Sequence, residues 1–190
     1  MPLLTTLVLL LCILWQSPAA ALPPDAWRDA AVLPDLADLL APAPPALLGQ
    51  ALAGRWQGTL HYRDYGNDKG VTLPTSLVVD GPSNALRLAF IYDDGPGKTV
   101  RSTEQWALGA DGATLQMGKD DVPMRVSVYR SKDNADVALV ALGTGIENGV
   151  PVELRSVILR RGQALSFSKA SRLPQQAWLL RHVYRFTPQP

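Results

Sequence analysis

The chain has 190 residues, a single cysteine, 47% hydrophobic residues and a formal net charge of +1. With Arg160-Arg161 as its longest purely basic run, it lacks the basic stripe of a nucleic-acid-binding protein, and no nucleic-acid partner is expected. Cys12 lies in an amino-terminal apolar run, so the chain after it has no thiol for a disulfide, a nucleophile or a metal.

Residues 7–15 are apolar throughout, and Gln16-Ser17-Pro18 breaks the run. Ala19-Ala20-Ala21 then offers the small residues that signal peptidase reads, which predicts a cleaved signal over residues 1–21. The apolar run is shorter than the roughly 20 residues of a spanning helix. Leu11 stands where a lipoprotein site needs a small residue before Cys12. The expected mature protein is periplasmic or secreted, with no integral membrane segment. Residues 22–49 are rich in Ala, Pro and Leu. Pro24-Asp25 suits a helix start, and Trp27, Ala30 and Ala31 share one side of it. Pro34 interrupts, and Leu36, Leu39 and Leu40 make a second short apolar face. The segment reads as two short helices or an arm, leading into a domain over residues 50–190.

From Gly54 the hydrophobic period becomes two. Trp56, Gly58, Leu60 and Tyr62 alternate with Gln57, Thr59, His61 and Arg63. Leu73 to Val79, Leu86 to Tyr92 and Val100 to Leu108 repeat the pattern. Further strands fit residues 113–117, 123–130, 136–143, 150–160, 163–170 and 179–186. Turn residues separate them, among them Asp80-Gly81-Pro82, Asp94-Gly95-Pro96-Gly97, Asp111-Gly112, Asn148-Gly149 and Arg161-Gly162. About ten strands follow one another, with no interval long enough for a crossover helix, so neighbours must be antiparallel. Such a meander closes into an up-and-down barrel or folds into a sandwich, and the barrel also removes exposed edges.

Gly54-Arg55-Trp56, at the head of the first strand, resembles the Gly-x-Trp signature of lipocalins and the wider calycin group. The resemblance implies a closed, all-β, lipocalin-like barrel whose Trp56 plugs one end. It also implies an Arg from near the last strand lying over that Trp, with Arg181 and Arg185 as candidates. Tyr62-Arg63-Asp64-Tyr65 and Tyr92-Asp93-Asp94-Gly95-Pro96-Gly97-Lys98 are similar to segments of uncharacterised secreted bacterial proteins, a likeness that brings no activity.

If Trp56 marks the closed end, the loops at 65–70, 93–98, 118–122 and 144–149 share the open end. They carry Asp68, Asp93, Asp94, Asp120, Asp121 and Glu147, with Lys69, Lys98 and Lys119. These acids serve either the turns themselves or an entrance selecting polar or cationic groups. Leu60, Tyr62, Phe90, Tyr92, Glu104 and Trp106 fall on the inner face and are the candidate ligand-binding residues. Glu104 stands out, because a buried carboxylate must be paired, protonated or hydrated. Arg63 and Arg101 fall on the outer face, so Tyr62 and Tyr92 are its expected partners, and Glu104 is the one weak catalytic candidate. His61 points out and His182 in. A lone inward His is the haem ligand of nitrobindin-type barrels, but their other sequence marks are missing, and no cofactor is expected. No Gly-x-Ser-x-Gly elbow or zinc-spaced His pair occurs. The expected protein is a binding module for a small apolar or amphipathic molecule. The alternatives are a filled barrel acting as a structural or interaction protein of the envelope, and an enzyme using Glu104.

Overall fold

The computed structural model describes residues 41, 42, 44, 46–64, 66, 67, 69–119, 121–130 and 136–189. The expected signal and the two short helices expected before residue 41 lie outside these residues. The described chain runs β1 (Ala41–Pro42), α1 (Leu47–Leu52), β2 (Gly54–Asp64), β3 (Lys69–Asp80), β4 (Ala85–Asp93) and β5 (Thr99–Leu108). It continues through β6 (Thr114–Met117), β7 (Met124–Arg130), β8 (Asp136–Glu147), β9 (Val150–Arg161), β10 (Ala164–Arg172) and β11 (Leu179–Pro188).

Strands β2 to β11 form an antiparallel meander, and β11 pairs with β2 through His182↔Tyr62 to Pro188↔Trp56. Each strand therefore finds a partner on both sides, and the sheet closes into a ten-stranded barrel, the one of the two solutions left by the alternation that the Gly-x-Trp resemblance implies. Asn148 and Gly149, both at positive φ (52° and 78°), make the tight turn between β8 and β9. The pairing is thinnest between β6 and β7, where only Thr114↔Arg125 and Leu115↔Met124 are in register. Beyond that point β1 pairs with Tyr129 and Arg130 of β7, so the segment preceding the barrel is stitched onto it.

Alternation decides what enters the lumen. Leu77, Leu88, Phe90, Leu139, Leu165 and Phe186 project inward and are almost fully buried. One end is sealed by α1, whose Leu48 and Leu52 are 1% and 0% exposed. Gly49 allows the helix to sit there, since a Cβ on it would lie 2.4 Å from Ser83 Cα in the turn between β3 and β4. The helix has no side-chain cap, and its last carbonyls are satisfied from the barrel instead. Trp56 Nε1 donates to Leu52 O at 2.9 Å, and Arg160 Nη1 donates to Ala51 O at 3.0 Å. Trp56 is 3% exposed, so it plugs this end as the Gly-x-Trp resemblance implies.

The Arg over Trp56 is Arg160 of β9, with its guanidinium carbon 5.8 Å from the ring centroid. It is neither Arg185 nor Arg181, the two candidates from sequence. Arg185 alternates with the buried Tyr184 and Phe186, so it points into solvent. Arg181 lies at the other end of β11. Arg160 has the parity of Ser156 and Ile158, which face the lumen.

Candidate functional site

The opposite half of the lumen is hollow. A cavity of about 420 Å³ opens at the end away from Trp56. That volume lies within the range of small-molecule sites, roughly 300–1,000 Å³. Its floor is an aromatic layer spanning the barrel from β4 and β5 to β10 and β11. Phe90 meets Tyr184 at 5.3 Å between centroids, Trp106 meets Phe167 at 5.5 Å, and Phe167 meets Tyr184 edge-on at 6.2 Å. These four rings line the cavity. Phe186, below them, joins the stack on the closed side, 5.9 Å from Phe167.

Small residues thin the β8 wall of the upper lumen. Along the inner face of β8 the sequence runs Val137, Leu139, Ala141, Gly143, Gly145 from the closed end to the mouth. A Cβ on Gly143 would lie 2.6 Å from Met124 Cγ, and one on Gly145 would lie 2.7 Å from Leu154 Cδ1. Met124 and Leu154 thus lie against bare β8 backbone as part of the wall. This taper was visible in the sequence as a decreasing side-chain series at period two, and the sequence reading did not use it.

Glu104 points inward and lines the cavity. Its Oε2 accepts a hydrogen bond from Trp106 Nε1 at 2.9 Å, two residues along the same face of β5. Burial raises its pKa above the ordinary carboxylate value; the bond from Trp106 opposes this, nearby Asp121 adds to it, and Lys169 opposes it. The expected tyrosine partners are not its hydrogen-bond partners. Tyr92 and Tyr184 bond to each other, hydroxyl to hydroxyl, at 3.0 Å. Burial pushes both phenols upward, so both are neutral at ordinary pH. Tyr62 is half-buried on the stretch of β2 that pairs with His182.

Of the six residues singled out by alternation, Phe90, Glu104 and Trp106 come together at the cavity. Leu60 and Tyr92 instead pack against the core beside it, and Tyr62 is not among the lining residues. Sequence reasoning left out Phe167, Lys169 and Tyr184, which complete the wall from β10 and β11. The same period-two argument could have found them, since Leu165, Phe167 and Lys169 alternate inward and pair with Phe186, Tyr184 and His182.

His182 faces the cavity and stacks edge-on against Tyr184, with centroids 5.4 Å apart. Burial, helped by the positive charge of Lys169, lowers its pKa to about 4, so it is a neutral imidazole at ordinary pH. Immediately before it the β10–β11 register shifts: Lys169 pairs with His182, but Ala170 pairs with Leu180. The bulged residue is Arg181. It forms an ion pair with Glu147, and its Nε donates to Ser171 Oγ at 2.6 Å. Ser171, 0% exposed, donates in turn to Glu147 Oε2 at 2.9 Å. The bulge thus ties β11 to the end of β8 at the cavity rim.

Of the four loops expected at the open end, those at 118–122 and 144–149 border the cavity, contributing Asp121, Val122 and Glu147. The described residues at 65–70 and 93–98 contribute nothing to the lining. Asp93 accepts the Gly95 N–H at 3.1 Å, and Asp94 pairs with Lys98, so these acids serve their own turn. Asp68 and Asp120 fall outside the described residues. His61 lies on the outer face, where Nδ1 shares a 2.6 Å hydrogen bond with Thr72 Oγ1. Among the described residues no three His, Cys, Asp or Glu side chains gather in a way that could hold a metal ion. No described helix is long and apolar enough to cross a membrane.

No protein-family profile and no curated protein matches this chain. Among solved structures it is similar to the S-type phycobiliprotein lyase CPES of Guillardia theta, at 6% identity and a TM-score of 0.50, over 78% of this chain and 94% of that one. It is also similar to Rv2717c of M. tuberculosis, at 12% identity and a TM-score of 0.42, over 79% of this chain and all of that one. At such identities the likeness to the lyase shows a shared fold and nothing finer. Together with the closed meander and the Trp56 plug, it gives this chain the fold of a lipocalin-like β-barrel.

Proposed function

We propose that this protein is an exported binding module that takes a small, largely apolar or amphipathic molecule into its barrel. The observation that carries the reading is the cavity of about 420 Å³ above an aromatic floor, open at one end and sealed at the other by α1 and Trp56. A core that existed only for stability would be filled, because empty apolar volume is destabilising. Here the glycines of β8 leave room for Met124 and Leu154 to lie back against the strand, and the volume beside them stays unfilled. Export rests on the apolar run and Ala19-Ala20-Ala21.

Native mass spectrometry of the protein purified from its own host tests this directly. The expected spectrum holds a mature chain starting near Leu22 and a retained small molecule, and apolar probes titrate into the protein with saturation. A barrel that arrives empty and takes up no apolar probe would leave the alternative of an interaction protein. That alternative has one observation in its favour: Val122 and Ile146 at the mouth are 63% and 75% exposed.

A further inference from the structure

We infer that the cavity selects an organic cation: an apolar or aromatic body carrying a protonated amine, with the amine seated between Glu104 and His182. The inference rests on the binding reading above and specifies its ligand class.

The charges around the opening come from five parts of the wall. Glu104 stands on β5, Asp121 on the β6–β7 connection, Glu147 at the end of β8, Lys169 on β10, and Arg181 and His182 on β11. Glu147 is already neutralised by Arg181. Among the described lining residues, what remains is two carboxyl groups against one ammonium. His182, the other basic side chain in the lining, is held neutral by its surroundings. An incoming anion would meet this excess of negative charge inside a partly desolvated lumen, where Coulomb interactions are stronger than in water. An incoming cation supplies the charge that is lacking.

The hydrogen-bonding inventory has the same sign. Trp106 Nε1, the indole donor in the cavity wall, is used by Glu104. The neutral ring of His182 carries an acceptor nitrogen, and among the described residues its side chain makes no hydrogen bond. Glu104 Oε1 and the hydroxyl of Ser156, which shares the inward parity of Ile158, add further acceptor positions. An ammonium, with donors only, matches such a wall better than a carboxylate, which has acceptors only. The faces of Phe90, Trp106, Phe167 and Tyr184 attract a cation through their quadrupoles. Lys169 is the competing cation near Glu104, but it sits half-buried on a long flexible stem and can withdraw toward solvent when a ligand amine arrives.

Three probes sharing one ring system test this by calorimetry at neutral pH and low salt: 1-naphthylmethylammonium, 1-naphthoate and 1-naphthylmethanol. The expected order is ammonium, then alcohol, then carboxylate, with the ammonium at least about tenfold tighter than the carboxylate. In Glu104→Gln, the ammonium-to-carboxylate ratio should shrink several-fold while near-ultraviolet circular dichroism is unchanged. A carboxylate that binds as tightly as the ammonium, or tighter, overturns the inference and hands the site to Lys169. Equal binding of all three probes also overturns it, yet leaves the binding-module reading standing. Failure of every probe, the neutral alcohol included, overturns both.

Discussion

The two ends of this barrel are made of similar residues and used in opposite ways. At the closed end Trp56 and Arg160 spend their polar atoms on the carbonyls of α1, so that chemistry is internal and complete. At the open end Trp106 repeats the pairing of an inward indole with an oxygen, but the oxygen belongs to Glu104 and the surrounding groups face empty volume. An indole in a barrel is therefore not a functional mark in itself. What separates the ends is whether the neighbouring polar groups find partners within the chain. Groups satisfied within the chain give stability, and groups left facing a cavity give capacity to bind.

The comparison breaks most sharply at Trp56. Trp56→Ala removes a 3%-exposed side chain and the donor to Leu52 O, and should cost roughly 3–5 kcal/mol in urea unfolding. A loss under about 1 kcal/mol would mean that the closed end is not a plug.

The open end should reveal itself through acid. His182 titrates near 6.5 when unfolded and near 4 in the fold. Below pH 6.5 the unfolded chain takes up a proton that the folded chain refuses, so stability falls as pH drops from 6.5 to about 4. The shift corresponds to about 3 kcal/mol at full extent. His182→Gln should flatten that limb of the stability–pH curve; a curve unchanged by the substitution would contradict the buried, neutral imidazole.

Arg160→Met keeps the aliphatic stem over Trp56 and deletes the bond to Ala51 O. It should cost about 1–2 kcal/mol and leave probe binding untouched. A binding loss there would mean that the two ends are coupled.

Glu104→Gln is the mildest change in stability, within about 1 kcal/mol and in the stabilising direction, because it removes a charge that is costly to bury. The pH sign is opposite to that of His182. A carboxyl with a raised folded pKa binds its proton more tightly in the fold, so wild type loses stability as pH rises from about 4.5 through the raised value. The Gln variant should lack that loss. Unfolding midpoints at pH 4 and pH 7 for both proteins provide the check.

The sequence by itself determined an antiparallel meander of about ten strands, and the Gly-x-Trp resemblance turned the choice between sandwich and barrel toward the barrel. Period-two alternation from Gly54 onward, with a turn signal between each pair of runs, left only antiparallel neighbours, and Gly54-Arg55-Trp56 told which end would be shut. It also placed Glu104 inside, because parity along one strand is a local property. The tertiary structure decided what local parity cannot reach. Pairing across the closure brought Lys169 and His182 of β10 and β11 to the same cavity as Glu104 of β5. Arg181, one of the residues expected over Trp56, lies at the far end of β11, where a bulge invisible in a hydrophobic pattern turns it to Glu147. Arg160 took the place over Trp56 because register carries it to the same end of the lumen: it pairs with Leu165, Leu165 with Phe186, and Phe186 with Gly58. Whether the lumen is hollow was likewise a matter of how much volume facing walls supply together, and single-strand patterns carry the direction of a side chain but not the distance to the one opposite.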